Sequence, residues 1–104
     1  MDTGSLIIRV RSLLASAYGA RLKGVVLYGS VARGEDREDS DVDILVMLDR
    51  VDDYALDLRT GIAAIYPLAR ELGRRISVKP VPEEEYRSKD CPLYRHAHRE
   101  GVAA

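Results

Sequence analysis

Apolar residues recur along this 104-residue chain in two rhythms, a helical one and a strand one, and the switches between them lay out its elements in order. Leu6, Val10, Leu13, Leu14 and Ala17 fall on one helical stripe, with Thr3 or Ser5 placed to cap the helix and Gly19 to stop it. Arg21 to Gly24 read as a turn. Val25 to Tyr28 are apolar on both faces, as a buried strand is, and Gly29 ends the run by accepting backbone angles that a side chain resists. Ser30 to Arg33 start a short helix, and residues 34–40 form a charged, turn-rich loop. From there the period is two: Val42, Ile44, Val46 and Leu48 line one face of a second strand, and Asp41, Asp43, Leu45 and Met47 line the other.

Asp52 or Asp53 caps a further helix in which Leu58, Ile62, Ile65, Ala69 and Leu72 recur at helical spacing. Gly61 and Pro67 oppose it, and Pro67 predicts a kink or a break. Gly73 is placed as the C-cap; Arg75, Ser77 and Lys79 then alternate with Ile76 and Val78 in a third strand that ends at Pro80. Pro82 and the acids after it open a short helical turn, and Pro92 to Glu100 read as a last helix with proline at its start and Gly101 beyond its end. The order predicts an α/β (α+β) fold in one domain over residues 1–104, a small mixed sheet with helices packed mainly on one face.

Composition narrows the functional classes. Apolar residues at 46% and charged ones at 32% describe an ordinary globular chain, and no apolar run approaches the roughly 20 residues of a membrane span. With no leader-like segment the expected location is the cytoplasm, which the single cysteine, Cys91, also suits. The net charge of −1 argues against strong nucleic-acid binding. Charge is nevertheless segregated: acids dominate residues 35–57, suiting cations, and bases dominate 87–99, suiting an acidic partner or nucleotide phosphates. His96 and His98, two apart on a helix, point to different sides and do not share a metal.

The chemistry concentrates in residues 29–48. Asp41 and Asp43 share a strand face about 7 Å apart along the chain, which is half of a divalent-metal site. Just upstream, the backbone amides of Gly29 and Ser30 and the serine hydroxyl follow a strand and can face a phosphate. The pairing suggests a metal-bound polyphosphate.

The run GSVARG followed by SDVD resembles the signature of the DNA polymerase β-like nucleotidyltransferase superfamily, in which a GS turn precedes a strand with paired aspartates. The arginine-glycine close behind the serine and the compact size resemble its minimal nucleotidyltransferase branch, whose members often act beside HEPN-domain proteins as toxin–antitoxin pairs. The resemblance implies the polymerase β-like fold and transfer of a nucleotidyl group from a nucleoside triphosphate, expected to be ATP, to a protein or RNA acceptor. It implies that Gly29 and Ser30 bind the triphosphate, and that Asp41 and Asp43 are the catalytic, metal-binding carboxylates, with Mg²⁺ as the expected ion and Mn²⁺ as the alternative. Arg33 either adds a phosphate contact or pairs with Glu35 or Asp36. Ser40 joins the nucleotide site, capping the turn or bonding an aspartate.

The resemblance also implies a third carboxylate on the third strand, where this chain has Arg75, Ser77 and Lys79. Glu83, Glu84 or Glu85 would have to fold back to replace it, against the simpler reading of a solvated helix start. Two functions follow: an enzyme that modifies a HEPN-like toxin partner, and a catalytically impaired nucleotide-binding or antitoxin module acting by contact. Leu45 and Met47, on the carboxylate face, need a cover that the chain's own helix, a partner, or a second copy in a homo-oligomer can give.

Overall fold

The computed structural model describes residues 2–35, 37 and 40–104. Helix α1 (Thr3–Tyr18) leads through a 3₁₀ turn (Gly19–Arg21) into strand β1 (Leu22–Tyr28), and a four-residue helix, α2 (Ser30–Arg33), follows at once. Strand β2 (Val42–Leu48), the long helix α3 (Tyr54–Leu72) and strand β3 (Ile76–Pro82) come next, then α4 (Glu83–Ser88), α5 (Pro92–Glu100) and a two-residue strand, β4 (Val102–Ala103). The sheet order is β3-β2-β1-β4. β1 runs antiparallel to β2 and to β4, whereas β2 and β3 are parallel, α3 supplying the crossover that parallel neighbours need. Among the described residues no helix is long and apolar enough to cross a membrane.

The alternation in β2 divides the core as its sequence requires. Val42, Ile44, Val46 and Leu48 join Val25, Leu27 and Val78 on the face covered by α1 and α3, the two long helices. Leu45, with Val26 and Val81, packs on the opposite face beneath Tyr86, Tyr94 and Ala97 of the short helices α4 and α5, and Met47 packs against that group. The chain's own α4 and α5 therefore give Leu45 and Met47 their cover.

Several boundaries differ from those the pattern predicts. The cap of α1 is Asp2, not Thr3 or Ser5: its carboxylate accepts from the Gly4 amide at 3.1 Å and from the Ser5 hydroxyl at 2.8 Å. The buried stripe of α1 runs Leu6, Ile7, Val10, Leu14 and Tyr18, leaving Ala17 exposed, because the Tyr18 phenol reaches across to donate to the Asp57 carbonyl. β1 begins three residues early, at Leu22. In α3 the inward positions are Asp57, Gly61, Ile65 and Leu68, so the stripe is rotated from the expected one and Ile62 is exposed. Asp53 caps the helix, its carboxylate accepting from the Leu56 amide at 3.1 Å, and Gly73 closes it. Pro67 neither breaks nor ends it. Pro67 and Ala63 are both exposed, so the carbonyl deprived of its donor is left to water. β3 continues past Pro80 to Pro82, which an edge strand tolerates. β4 has no apolar pattern to announce it and is held by pairing with β1, including reciprocal bonds of 2.9 Å between Val25 and Ala104.

Gly61 shows why α3 carries a residue that weakens helices. A Cβ there would lie 2.6 Å from the Tyr18 hydroxyl and 2.9 Å from a Val78 methyl. Gly61→Ala is expected to destabilise the fold by about 1–2 kcal/mol in urea unfolding, because crowding outweighs the ~1 kcal/mol gained in helix propensity.

Candidate active site

Asp43 is where the sheet brings the sequence's chemistry together. It pairs with Tyr28, the last residue of β1, on one side and with Ser77 of β3 on the other. Asp41 stands just ahead of the strand and is exposed, while Asp43 is half-buried. Burial pushes the Asp43 carboxyl up from its ordinary value, and the charge of Asp41 adds to the push. Burial, and after it the charge of Asp43, likewise raises the Tyr28 phenol.

The Gly29 turn fits around that carboxylate. Gly29 has φ 78° and ψ −157°, a region essentially reserved for glycine, and a Cβ on it would sit 2.5 Å from Asp43 Oδ2. Glycine is therefore required twice, by the backbone angles and by the space that Asp43 occupies. Ser30 opens α2 immediately beyond, and the turn is closed by bonds from the Arg33 amide to the Gly29 carbonyl at 3.2 Å and from the Glu35 amide to the Ser30 carbonyl at 2.9 Å.

A divalent cation suits this donor set. Asp41 and Asp43 accept no hydrogen bond from any described residue, so their lone pairs are open, and the repulsion that adds to the effect of burial on Asp43 is relieved by a shared positive charge. Among the described residues no group of three or more His, Cys, Asp or Glu converges on one point, so the remaining ligands would come from substrate oxygens and water.

The other predicted residues are placed differently. Arg33 pairs with Glu35 at 3.2 Å, and more loosely with Glu100 at 3.9 Å, which is the ion-pair alternative; Asp36 lies outside the described residues. The Ser40 hydroxyl accepts from the Arg37 amide at 2.8 Å, and its carbonyl accepts two bonds from the Arg74 guanidinium at 2.8 and 3.0 Å. From β3, Ser77 faces Asp43 and Lys79 pairs with Leu45, the Lys79 ammonium lying 5.8 Å from the centre of the Tyr94 ring. Glu83, Glu84 and Glu85 begin α4 at the far end of β3, where Pro82 pairs with Leu48. Glu83 bonds Arg87 and Glu85 accepts from the Tyr94 hydroxyl, so none of the three folds back toward Asp43. Nothing in the local pattern announces that α5 reaches the turn. Leu93, His96, Ala97 and Glu100 border the same pocket as Tyr28 and Gly29, a contact across more than 60 residues that no local pattern encodes.

With this geometry in place, likeness to known proteins becomes informative. The sequence profile of the nucleotidyltransferase domain matches residues 7–98. The chain belongs to the nucleotidyltransferase domain family. A solved structure described as a minimal nucleotidyltransferase is 31% identical, with 98% of this chain and 95% of that one covered and a TM-score of 0.57, so the resemblance carried by GSVARG and SDVD holds across the domain. A Methanocaldococcus jannaschii protein named as a protein adenylyltransferase is 45% identical over 53 residues; the match spans 51% of this chain and 53% of that protein. Two toxin–antitoxin crystal structures share the fold. One, solved with AMP-PNP, has a TM-score of 0.63 at 20% identity, covering 98% of this chain and 72% of that one. The other, of the MntA–HpeT pair, has a TM-score of 0.62 at 21% identity, covering 100% and 72%.

Two predictions follow from the Gly29–Asp43 contact. Gly34 also has positive φ, 71°, but a Cβ there meets nothing within 4 Å. Gly34→Ala should therefore cost about 1 kcal/mol and Gly29→Ala about 3 kcal/mol in denaturant unfolding, with the excess shrinking in an Asp43→Ala background. The second concerns pH. Since folding raises the Asp43 pKa, the stability its protonated form contributes is complete below the ordinary carboxylate value and is lost as the pH climbs through the raised one. In cation-free buffer, Asp43→Asn should raise the melting temperature near neutral pH, and the advantage should vanish below about pH 4.

Proposed function

We propose that this nucleotidyltransferase domain binds Mg²⁺–ATP and transfers the adenylyl group to a hydroxyl of a partner protein, as the antitoxin of a HEPN-type toxin. The observation that carries this reading is the half-buried Asp43, with open lone pairs, fitted against the Gly29–Ser30 turn and beside Asp41. Support for a protein acceptor comes from the name of the archaeal relative, and support for a toxin partner from the two complexes that share the fold.

In this reading Gly29 brings backbone close to the phosphates where any side chain would collide with Asp43, and the Ser30 amide and hydroxyl donate to phosphate oxygens. Asp41 and Asp43 would hold Mg²⁺, or Mn²⁺ in its place. When bound, the ion neutralises charge on the phosphates. The acceptor hydroxyl attacks the α-phosphorus and releases its proton to solvent, the bond to the bridging oxygen breaks, and pyrophosphate leaves with that electron pair. Ser40 acts indirectly, by shaping the loop that delivers Asp41. Arg33, balanced by Glu35 and Glu100, shapes the rim of the site and is not an open phosphate ligand.

A second reading has its own observation. The β3 residues beside Asp43 and Leu45 are Ser77 and Lys79, with no carboxylate between them, which favours a module that binds nucleotide and neutralises its partner by contact. Incubating the protein with labelled ATP, Mg²⁺ and the neighbouring gene's product separates the two. Transfer of label to the partner that falls at least a hundredfold in Asp41→Ala or Asp43→Ala establishes the enzyme. Partner binding that is unchanged in Asp41→Ala, with no label transferred by the native protein, establishes the contact module instead.

A further inference from the structure

A pocket of about 180 Å³ opens beside Gly29, between the end of β1, α2 and α5. Tyr28, Leu93 and Ala97 give it apolar surface, and Arg33, His96 and Glu100 give it polar groups. Its volume lies below the roughly 300–1,000 Å³ of sites that take a whole drug-sized molecule, so it accommodates one ring system and not an entire nucleotide.

Its charge distribution fixes which part of a nucleotide can enter. The Arg33 guanidinium is already shared between Glu35 and Glu100, so the pocket holds no uncompensated cation for a phosphate among these groups, and the Glu100 carboxylate repels one. The phosphates are left to the Gly29–Ser30 side. At 3.9 Å the Arg33–Glu100 pair is too long for a hydrogen bond, and Glu100 accepts none from any other described residue. Its lone pairs are free to take an N–H donor.

We propose that this pocket seats the base of the nucleotide whose phosphates lie on Gly29 and Ser30, and that Glu100 selects a base carrying an exocyclic amine. Tyr28 and the Leu93 side chain supply the apolar contact, which favours the larger purine rings, and the Glu100 carboxylate accepts from the amine. Uracil presents a carbonyl at the corresponding edge and meets the carboxylate acceptor to acceptor. Glu100 and Leu93 thus become specificity residues contributed by α5. This assignment rests on the nucleotide-binding reading given above.

Calorimetric titration of the full chain with ATP, UTP and tripolyphosphate, each with Mg²⁺, tests it. The native protein should bind ATP about tenfold more tightly than UTP or tripolyphosphate. Leu93→Ala should lower ATP affinity and leave tripolyphosphate affinity unchanged. Glu100→Gln replaces an exposed side chain with its isostere, so the fold is kept, and the amide can donate to a carbonyl; the preference for ATP over UTP should shrink toward parity. Equal binding of ATP and UTP by the native protein, or an ATP preference untouched by both substitutions, overturns the pocket assignment while nucleotide binding stands. Failure of the native protein to bind either ATP or tripolyphosphate overturns the nucleotide-binding reading and this inference with it.

Discussion

The fold depends on one guanidinium. Arg21, at the turn into β1, makes two parallel bonds of 2.9 Å to the carboxylate of Asp57, a third of 3.1 Å to Asp49 and a fourth of 2.8 Å to the Arg50 carbonyl. Asp57 is only 4% exposed, and a carboxylate so buried persists only when paired; the two-pronged arginine contact is the geometry that satisfies it. The Tyr18 phenol adds a bond to the Asp57 carbonyl, and the burial that accompanies it pushes the phenol up to about 12. One cluster therefore fastens the end of α1, the start of β1, the end of β2 and the first turn of α3. These ion pairs, together with the packing of Ile65 and Leu68 in the core, set how α3 lies on the sheet.

That fastening happens at one end of the β1–β2 pair, and the chemistry lies at the other. Leu22 pairs with Leu48 beside the Arg21 cluster, and six residues further along β1 Tyr28 pairs with Asp43 beside the Gly29 turn. The first end has its polar groups satisfied by one another. The second has a half-buried carboxylate whose ionisation is disfavoured and which takes no donor from the described residues. A protein can hold such a group only when the rest of the structure supplies the surplus stability, and here the distant ion-pair cluster and the two cores do so.

The candidate site was legible where its parts are neighbours in sequence. Two carboxylates at strand spacing, a glycine-serine turn after an apolar run and the switch to period two all lie within residues 25–48, and both the turn and the strand form as their residues require. Legibility failed where distant residues decide. α3 turns Asp57 and Gly61 inward, the first because Arg21 awaits it and the second because Tyr18 and Val78 crowd it, and neither reason is visible in the local pattern of α3. The same holds for Arg33, whose second partner, Glu100, is 67 positions away, and for β4, which exists only as a pairing on β1. Pro67 misled because a rule about helix interiors says nothing of which side of the helix faces water.

The two prolines of β3 have a consequence beyond the domain. The Val42 amide bonds the Arg75 carbonyl, and from there the parallel ladder directs residues 75, 77, 79 and 81 toward β2 and residues 76, 78, 80 and 82 outward. Positions 80 and 82 are prolines, so half of the outward amide positions along this edge carry no N–H at all. A strand from another chain laid against β3 would find donors only at its beginning, and the sheet resists extension on this side. Whatever protein the domain meets there must be recognised through side chains and helix faces, and assembly by continuing the sheet is closed off by the covalent chemistry of two residues.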